Sequence, residues 1–327
     1  MPRPSSTSSA QRGMAIISAL LIAAVVAVIA GGMLTRQGIF TRALEAEQSR
    51  VQGSVALLGH LETSRQLLWD ALQDGALTRL DQAWARPIGS LAAAPSNRGL
   101  QARLDDQQGK FNLRNLMANE RVDIGQLRSF ERLCAMIGIN AMLSQRISQR
   151  VIASYPQVLN QAAGQARTAG GFDSGRATSP NASLKPLPAT QPMLRSLDDL
   201  RGIEGLDEPA LIRLRQYVSI LPGNTWVNSN TASAEVLAAV VPGLTLPRAR
   251  ALVAERDHGQ WFINRGDFVN RARLPGLAVD GLTVGIGSEW FLFQGESHLD
   301  RRRVSLQALL HRPQDRMPRV IWSREGV

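Results

Sequence analysis

Cysteine occurs once in the 327 residues, at position 134. A lone cysteine excludes an intramolecular disulfide framework and any cysteine-based zinc cluster, and it reads as a small buried apolar residue. Histidine is nearly as scarce. His60, His258, His298 and His311 are the whole set, and no two stand at the helical spacing of a metal-ligand pair. Lysine is confined to Lys110 and Lys185, so the formal charge of +10 is carried by arginine. That bias follows from GC-rich coding as readily as from nucleic-acid binding, and it decides nothing alone. Catalytic signatures are missing: there is no H-E-x-x-H, no G-x-S-x-G and no P-loop around Gly109-Lys110. A G-x-G-x-x-G pattern opens at Gly285 and Gly287 and fails at Trp290. Asp105-Asp106, Asp198-Asp199 and Asp207-Glu208 read as solvated caps and turns rather than paired catalytic acids. Neither an enzyme nor a metal site is expected. Hydrophobic residues at 44% and charged residues at 20% give the composition of a globular protein rather than a disordered chain.

What the chain does have is a long apolar run. Met14 to Leu34 holds no charged residue, and at ~1.5 Å per residue it extends roughly 30 Å, the thickness of bilayer hydrocarbon. It reads as a retained single transmembrane helix over 14–35, preceded by a short polar, basic leader over 1–13. Arg3 and Arg12 before it and Arg36 and Arg42 after it leave its orientation nearly balanced by charge. Beyond it, Ile39, Phe40, Leu44, Val51, Val55, Leu58, Leu61, Leu68 and Leu72 recur at helical intervals, with polar residues between them. Joined to the membrane run, this stretch makes a rod that Gly31, Gly32, Gly38, Gly53 and Gly59 are placed to interrupt.

Leu100, Ala102 and Leu104 alternate as a strand, a turn is expected over Asp105 to Gly109, and Phe111 and Leu113 suggest a second short strand. Val122 to Tyr155 is helical by period, with Asp123 as its N-cap. Residues 161–191 are rich in small and turn-forming residues and read as a mobile loop. Ser196 and Asp207 are placed to cap two short helices around Gly202 to Gly205. From Trp226 to Gly276, a helix capped by Asn230 or Thr231 carries Val236, Leu237 and Val240. Pro242-Gly243 turns the chain into a helix capped by Thr245, and a third short helix lies near Gly266 to Arg271. Trp261-Phe262 and Trp290-Phe291 read as core. Three strands finish the chain around Trp290 to Gln294, Val304 to Leu310 and Val320 to Trp322, with turns at Gly295 to Asp300 and Pro313 to Pro318.

Several of these blocks resemble one family. Gly13, Met14 and the uncharged run after them are similar to a type IV prepilin-like signal. Asp106, Gly109, Asn112, Leu113, Arg114 and Leu116 resemble the D-x-x-G-x-x-N-L-N-x-L segment of the K-type minor pseudopilins of type II secretion, with Arg114 where Asn is usual. Val227 to Ala232 matches that family's V-N-x-N-T-A. Most pilin-like chains carry Glu as the fifth mature residue. Ser18 stands there, as in K-type subunits, and offers no carboxylate to a subunit above. The resemblance covers essentially the whole chain. It implies cleavage between Gly13 and Met14 by a prepilin peptidase, N-methylation of Met14, and a single-pass inner-membrane anchor with the bulk periplasmic. It also implies a place at the pseudopilus tip beside I- and J-type minor pseudopilins, supporting protein export without catalysis. The fold it implies is α+β: a long N-terminal helix packed on an antiparallel sheet, with a large inserted α-domain of two SAM-like or helix-hairpin-helix-like units. The segments are then 36–108 for the amphipathic helix and first strand, 109–220 and 221–272 for the two units, and 273–327 for the final strands.

Two expectations depart from this. K-type chains bind calcium through an acidic loop, but Asp173 is the only acid in 161–191, so no cofactor and no calcium ligand is assigned. The rival function is a membrane-anchored helix-hairpin-helix protein that binds DNA, as in competence. Gly243, Arg248 and Arg250 are the candidate anion or partner contacts. Thr245 or Leu246 stands where a second turn glycine would be, and its Cβ disfavours an anion nest, so nucleic acid is the disfavoured partner.

Overall fold

The computed structural model describes residues 9–89, 98–158, 187–274, 276–279, 281–299 and 302–326. Helix α1 is continuous from Ser9 to Gln73, 65 residues, or roughly 100 Å at ~1.5 Å per residue. None of the five glycines breaks it. Gly53 instead permits close packing, since a Cβ there would stand 3.2 Å from Ser297 Oγ. Leu57, Leu61, Ser64, Leu68 and Ala71 are buried, at alternating four- and three-residue steps, so one stripe faces the body. The expected amphipathic face is corrected here. Phe40, Leu44, Val51, Val55 and Leu58 are exposed, because they form a second apolar stripe about 120° round the helix at ~3.6 residues per turn.

After α1 a short 3-10 turn at Ala83–Ala85 buries Trp84. Strand β1 (Arg98–Asp106) follows, takes in the first two residues of the expected turn, and gives way to a 3-10 turn at Gln107–Gly109. Strand β2 is only Phe111–Asn112. Leu113, expected in that strand, starts a 3-10 turn because the Asn112 side chain accepts the Arg114 N–H. A hairpin of β3 (Met117–Ala118) and β4 (Arg121–Val122) leads into α2 (Ile124–Met136), capped by Asp123. The single helix expected to Tyr155 is two. Gly138 takes φ +75 and Asn140 caps α3 (Ala141–Ile152) afresh. Of the expected mobile loop, 161–186 lie outside the described residues. Leu187 pairs with Gln157, and the N–H groups of Thr190 and Gln191 donate to the Ala153 carbonyl.

Ser196 caps a 3-10 turn at Leu197–Leu200, and Asp207 caps α4 (Glu208–Tyr217), which runs into β5 (Val218–Ser219). Next come β6 (Val227–Asn228), α5 (Ala234–Val240), α6 (Leu246–Asp257), α7 (Arg265–Ala272) and β7 (Val284–Gly285). The cap of α5 is Ser233 rather than Asn230 or Thr231, whose side chains are engaged elsewhere. Strands β8 (Trp290–Leu299), β9 (Arg302–His311) and β10 (Arg319–Gly326) complete the chain. The turn expected from Gly295 is strand to Leu299. Gly295 is needed inside it because a Cβ would meet Leu57 Cδ2 at 2.7 Å.

The main sheet is antiparallel in the order β1-β8-β9-β10. Its inner face, with Ala102, Leu104, Phe291, Phe293, Leu306, Ala308 and Leu310, packs on the buried stripe of α1; each large side chain so buried contributes ~1.5–3 kcal/mol. β1 and β8 are hydrogen-bonded neighbours, yet residues 107–289 lie between them in sequence. Within that insert the parallel pair β2–β5 closes one helical unit and β6–β7 the other. Their helices share one core, with Phe111, Phe130, Ile147, Leu214, Leu237, Leu252 and Phe268 all buried.

Candidate functional site: the buried joint between body and insert

The two sequence blocks that carried the resemblance meet in space. Asp106, at the end of β1, is not the solvated residue that its sequence context suggests. It is instead buried, and its Oδ1 accepts the Gln108 N–H at 2.8 Å. Its Oδ2 accepts the hydroxyls of Thr231 at 2.5 Å and Ser288 at 2.6 Å, and an N–H of Asn228 at 3.3 Å. Asn228 Nδ2 also donates to the Thr78 carbonyl and to Ser288 Oγ. Arg312, immediately after β9, is 3% exposed. Its guanidinium donates to Thr78 Oγ1 at 2.6 Å and to the Ser288 carbonyl at 2.7 Å, and lies 4.9 Å over the Phe291 ring. Burial pushes the Asp106 carboxyl up, against the hydroxyl and backbone donors that favour its charge. Burial likewise lowers Arg312, opposed by the charges of Asp106 and Glu289.

The rest of the two blocks is used the same way. Gly109 must lack a side chain, since a Cβ would stand 2.9 Å from Thr231 Oγ1 and 3.1 Å from its carbonyl. Asn112 donates to the Gly223 carbonyl and accepts the N–H groups of Arg114 and Leu221. Asn115 and the Thr225 backbone exchange two bonds, of 2.8 and 3.0 Å. Asn230 does the same with Phe262, at 2.8 and 2.9 Å. Arg114, where Asn was expected, donates to the Met117 carbonyl and stacks 4.2 Å over Tyr155. A network so fully paired holds the body and the insert in place.

The residues singled out for function lie elsewhere. Gly13, Met14 and Ser18 sit in the first turns of α1, far from the joint. From Ile16 this helix is long and apolar enough to cross a membrane, with mean hydropathy 2.6 in its most apolar window and none of that window buried. Gly243 takes φ +80 in the turn before α6. Arg248 turns inward and donates to the Arg271 carbonyl, and Arg250 lies 3.5 Å from Glu235. The structure therefore does not gather Gly243, Arg248 and Arg250 into one open anion site. Asp198 and Asp199 bind Arg201, Arg215 and local backbone N–H groups, and Asp207 caps α4. Phe262 and Phe291 are core, while Trp261 and Trp290 are half-buried at its edge. Among the described residues no three His, Cys, Asp or Glu side chains cluster as metal ligands. Sequence reasoning missed Thr78, Ser288 and Arg312. These positions carry no motif, and only the fold brings them together.

Two models of the family described as "Type II secretion system (T2SS), protein K" match the chain, at residues 109–223 and 227–287, together more than half of it. The type II secretion system protein K of Pseudomonas aeruginosa is 29% identical over 323 residues, covering 95% of this chain and 92% of that one. The protein K of Pectobacterium carotovorum is 25% identical, covering 93% of each. Among solved structures, the GspK-GspI-GspJ complex from the type 2 secretion system of enterotoxigenic Escherichia coli matches with a TM-score of 0.59. Its identity is 17%, over 88% of this chain and 99% of that one.

Proposed function

This chain belongs to the type II secretion system protein K family, and from that membership we propose how it is processed, where it sits and what it touches. It is a minor pseudopilin of type II secretion, with an N-terminal helix of the kind that anchors such subunits. In our reading a prepilin peptidase cuts between Gly13 and Met14 and Met14 is N-methylated. Met14 to Leu34 then holds the protein in the bacterial inner membrane with its bulk in the periplasm. Its role is steric and adhesive rather than catalytic, and it takes no cofactor.

One observation carries the assembly proposal. α1 packs on its own sheet through one stripe while a second apolar stripe, from Phe40 to Leu58, faces outward. A monomer gains nothing from that exposure. Helices of I- and J-type minor pseudopilins are the proposed cover, the solved relative being a complex of those three types. The insert suits the tip of a filament, because a body that emits residues 107–289 from one strand end is too bulky to repeat along a fibre. DNA binding is not supported, since Arg248 and Arg250 have partners within the chain.

The test is the intact mass of the protein extracted from its native membrane, with and without the peptidase. A chain beginning at methylated Met14, seen only with the peptidase, is expected. A chain that keeps Met1 in both strains would overturn the processing. Co-expression with I- and J-type partners tests the assembly: the three are expected to purify together, and Val51→Asp with Val55→Asp to release them.

A further inference from the structure

A groove of about 700 Å³ lies between the outer face of the main sheet and the first helical unit. The strand registers define its floor. Arg103, Gln294, Gln307 and Arg324 stand side by side in one cross-strand row. Asp105, Leu292, Leu309 and Trp322 make the next row. The opposite wall carries Arg195 and the exposed Ile212.

The charges of this groove are unbalanced. Asp105 is held by Lys110 at 2.6 Å, and Asp198 by Arg201 and Arg215. Both acids are thus neutralised from within. Arg103, Arg195 and Arg324 are all exposed, and among the described residues none of their guanidinium groups has a carboxylate within 4.0 Å, though the Asp199 carboxylate accepts the Arg195 backbone N–H at 2.7 Å. Arg103 donates to the Gln294 amide and Arg324 to Ser196 Oγ, lying 5.1 Å over the Trp322 ring. These are neutral contacts that leave the guanidiniums of Arg103 and Arg324 without an ion pair beside an apolar strip, while Asp199 offsets part of the charge at Arg195. An isolated surface arginine needs no explanation. Arg103 and Arg195 line this groove and Arg324 stands at its rim over half-buried Trp322, so together they complement an anionic ligand with an apolar side.

We propose that this groove docks an extended acidic peptide segment of a partner protein, with carboxylates on the arginines and apolar side chains on Leu292, Trp322 and the facing Ile212. The dimensions agree. Four strands at ~4.8 Å spacing place Arg103 and Arg324 about 14 Å apart, and an extended chain at ~3.3 Å per residue covers that in about four residues. Acids at i and i+4 therefore reach the two ends, with the residues between alternating toward the two rows.

The experiment uses the full chain in phosphatidylcholine nanodiscs and a fluorescent five-residue probe alternating Glu and Val, read by anisotropy. Saturable binding is expected, weakening at least tenfold between 50 and 300 mM salt. The Arg103→Gln, Arg195→Gln, Arg324→Gln triple variant, checked for an unchanged melting temperature, is expected to lose at least tenfold in affinity. Ile212→Glu, on the wall, gives an independent loss by repulsion. A Gln-for-Glu probe that binds as well as the acidic one, or a triple variant that binds unchanged, overturns the proposal. Heparin or duplex DNA displacing the probe with greater affinity would assign the groove to a polyanion instead. Dimerisation of the free protein that the triple variant abolishes would assign it to a second copy of the chain.

Discussion

Asp106 and Thr231 are 125 residues apart in sequence and 2.5 Å apart in space, carboxylate oxygen to hydroxyl. One belongs to the last position of a body strand and the other to the second helical unit. Their contact is the shortest statement of how the insert is fixed to the pilin-like body. Gly109 passes directly against Thr231. Gly109→Ala should therefore cost ~1–3 kcal/mol by overpacking. Adding Thr231→Ala relieves the contact with Oγ1 but removes the hydroxyl that Asp106 accepts and leaves the Thr231 carbonyl 3.1 Å from the new Cβ, so the double variant should be no more stable than Gly109→Ala. Urea midpoints of the two variants check this, and full rescue would show that the backbone gives way.

Arg312 answers the buried charge of Asp106 and fills the Thr78 and Ser288 acceptors. Arg312→Met keeps the bulk and removes the cation, with an expected loss of ~3–5 kcal/mol. Arg312→Lys restores charge without the planar fork and should fall between the two. If Met is tolerated as well as Lys, the joint is held by packing and not by charge.

Burial pushes the Cys134 thiol up to about 11. In the folded chain at pH 8 it should react with a thiol reagent at least a hundredfold more slowly than in urea. The sign of the linked stability follows. The folded thiol keeps its proton where the unfolded one loses it, so stability is full below pH ~9 and is lost as pH rises toward 11, by up to ~2–3 kcal/mol. Denaturation between pH 8 and 11 should show this slope in the wild type, and Cys134→Ala should reduce it. Tyr155, also raised by burial, contributes in the same direction.

The two stripes of α1 should separate stability from assembly. Leu57 is fully buried against Gly295 and Phe293, so Leu57→Ala should cost ~2–5 kcal/mol in the isolated protein. Val55 is 62% exposed. Val55→Ser should leave the melting temperature of the isolated protein unchanged and weaken co-purification with partner pseudopilins. Equal destabilisation by both would remove the case for an outward, partner-facing stripe.

Elements with strong local signals were legible in sequence. The caps at Asp123, Ser196 and Asp207, the turn at Gly243 and the alternation in β8 and β9 all stand where side-chain chemistry and periodicity put them. What failed was the choice among equals. Asn230, Thr231 and Ser233 are all good helix caps, and only the demand of Phe262 and Asp106 for the first two leaves Ser233 to cap α5. The outward face of α1 misled for a related reason: two apolar stripes share one period, and only the sheet selects between them. The buried state of Asp106 was invisible because its partners Ser288 and Arg312 come from the far end of the chain.

The sheet neighbours β1 and β8 have a consequence for how the molecule forms. Their ladder closes a loop that runs from Asp106 to Trp290, and the entropy of closing a flexible loop rises only with the logarithm of its length. Here even that overestimates the cost. The parallel pairs at 111–112 with 218–219 and at 227–228 with 284–285 draw both ends of each unit together. Once they have formed, the contour between β1 and β8 is no longer the insert but the few residues on either side of it. A distant pairing in the sequence thereby becomes a near one along the folded path, which is the quantity that governs folding rate. Lengthening a loop inside either unit should leave the closure of the sheet, and its rate, almost untouched.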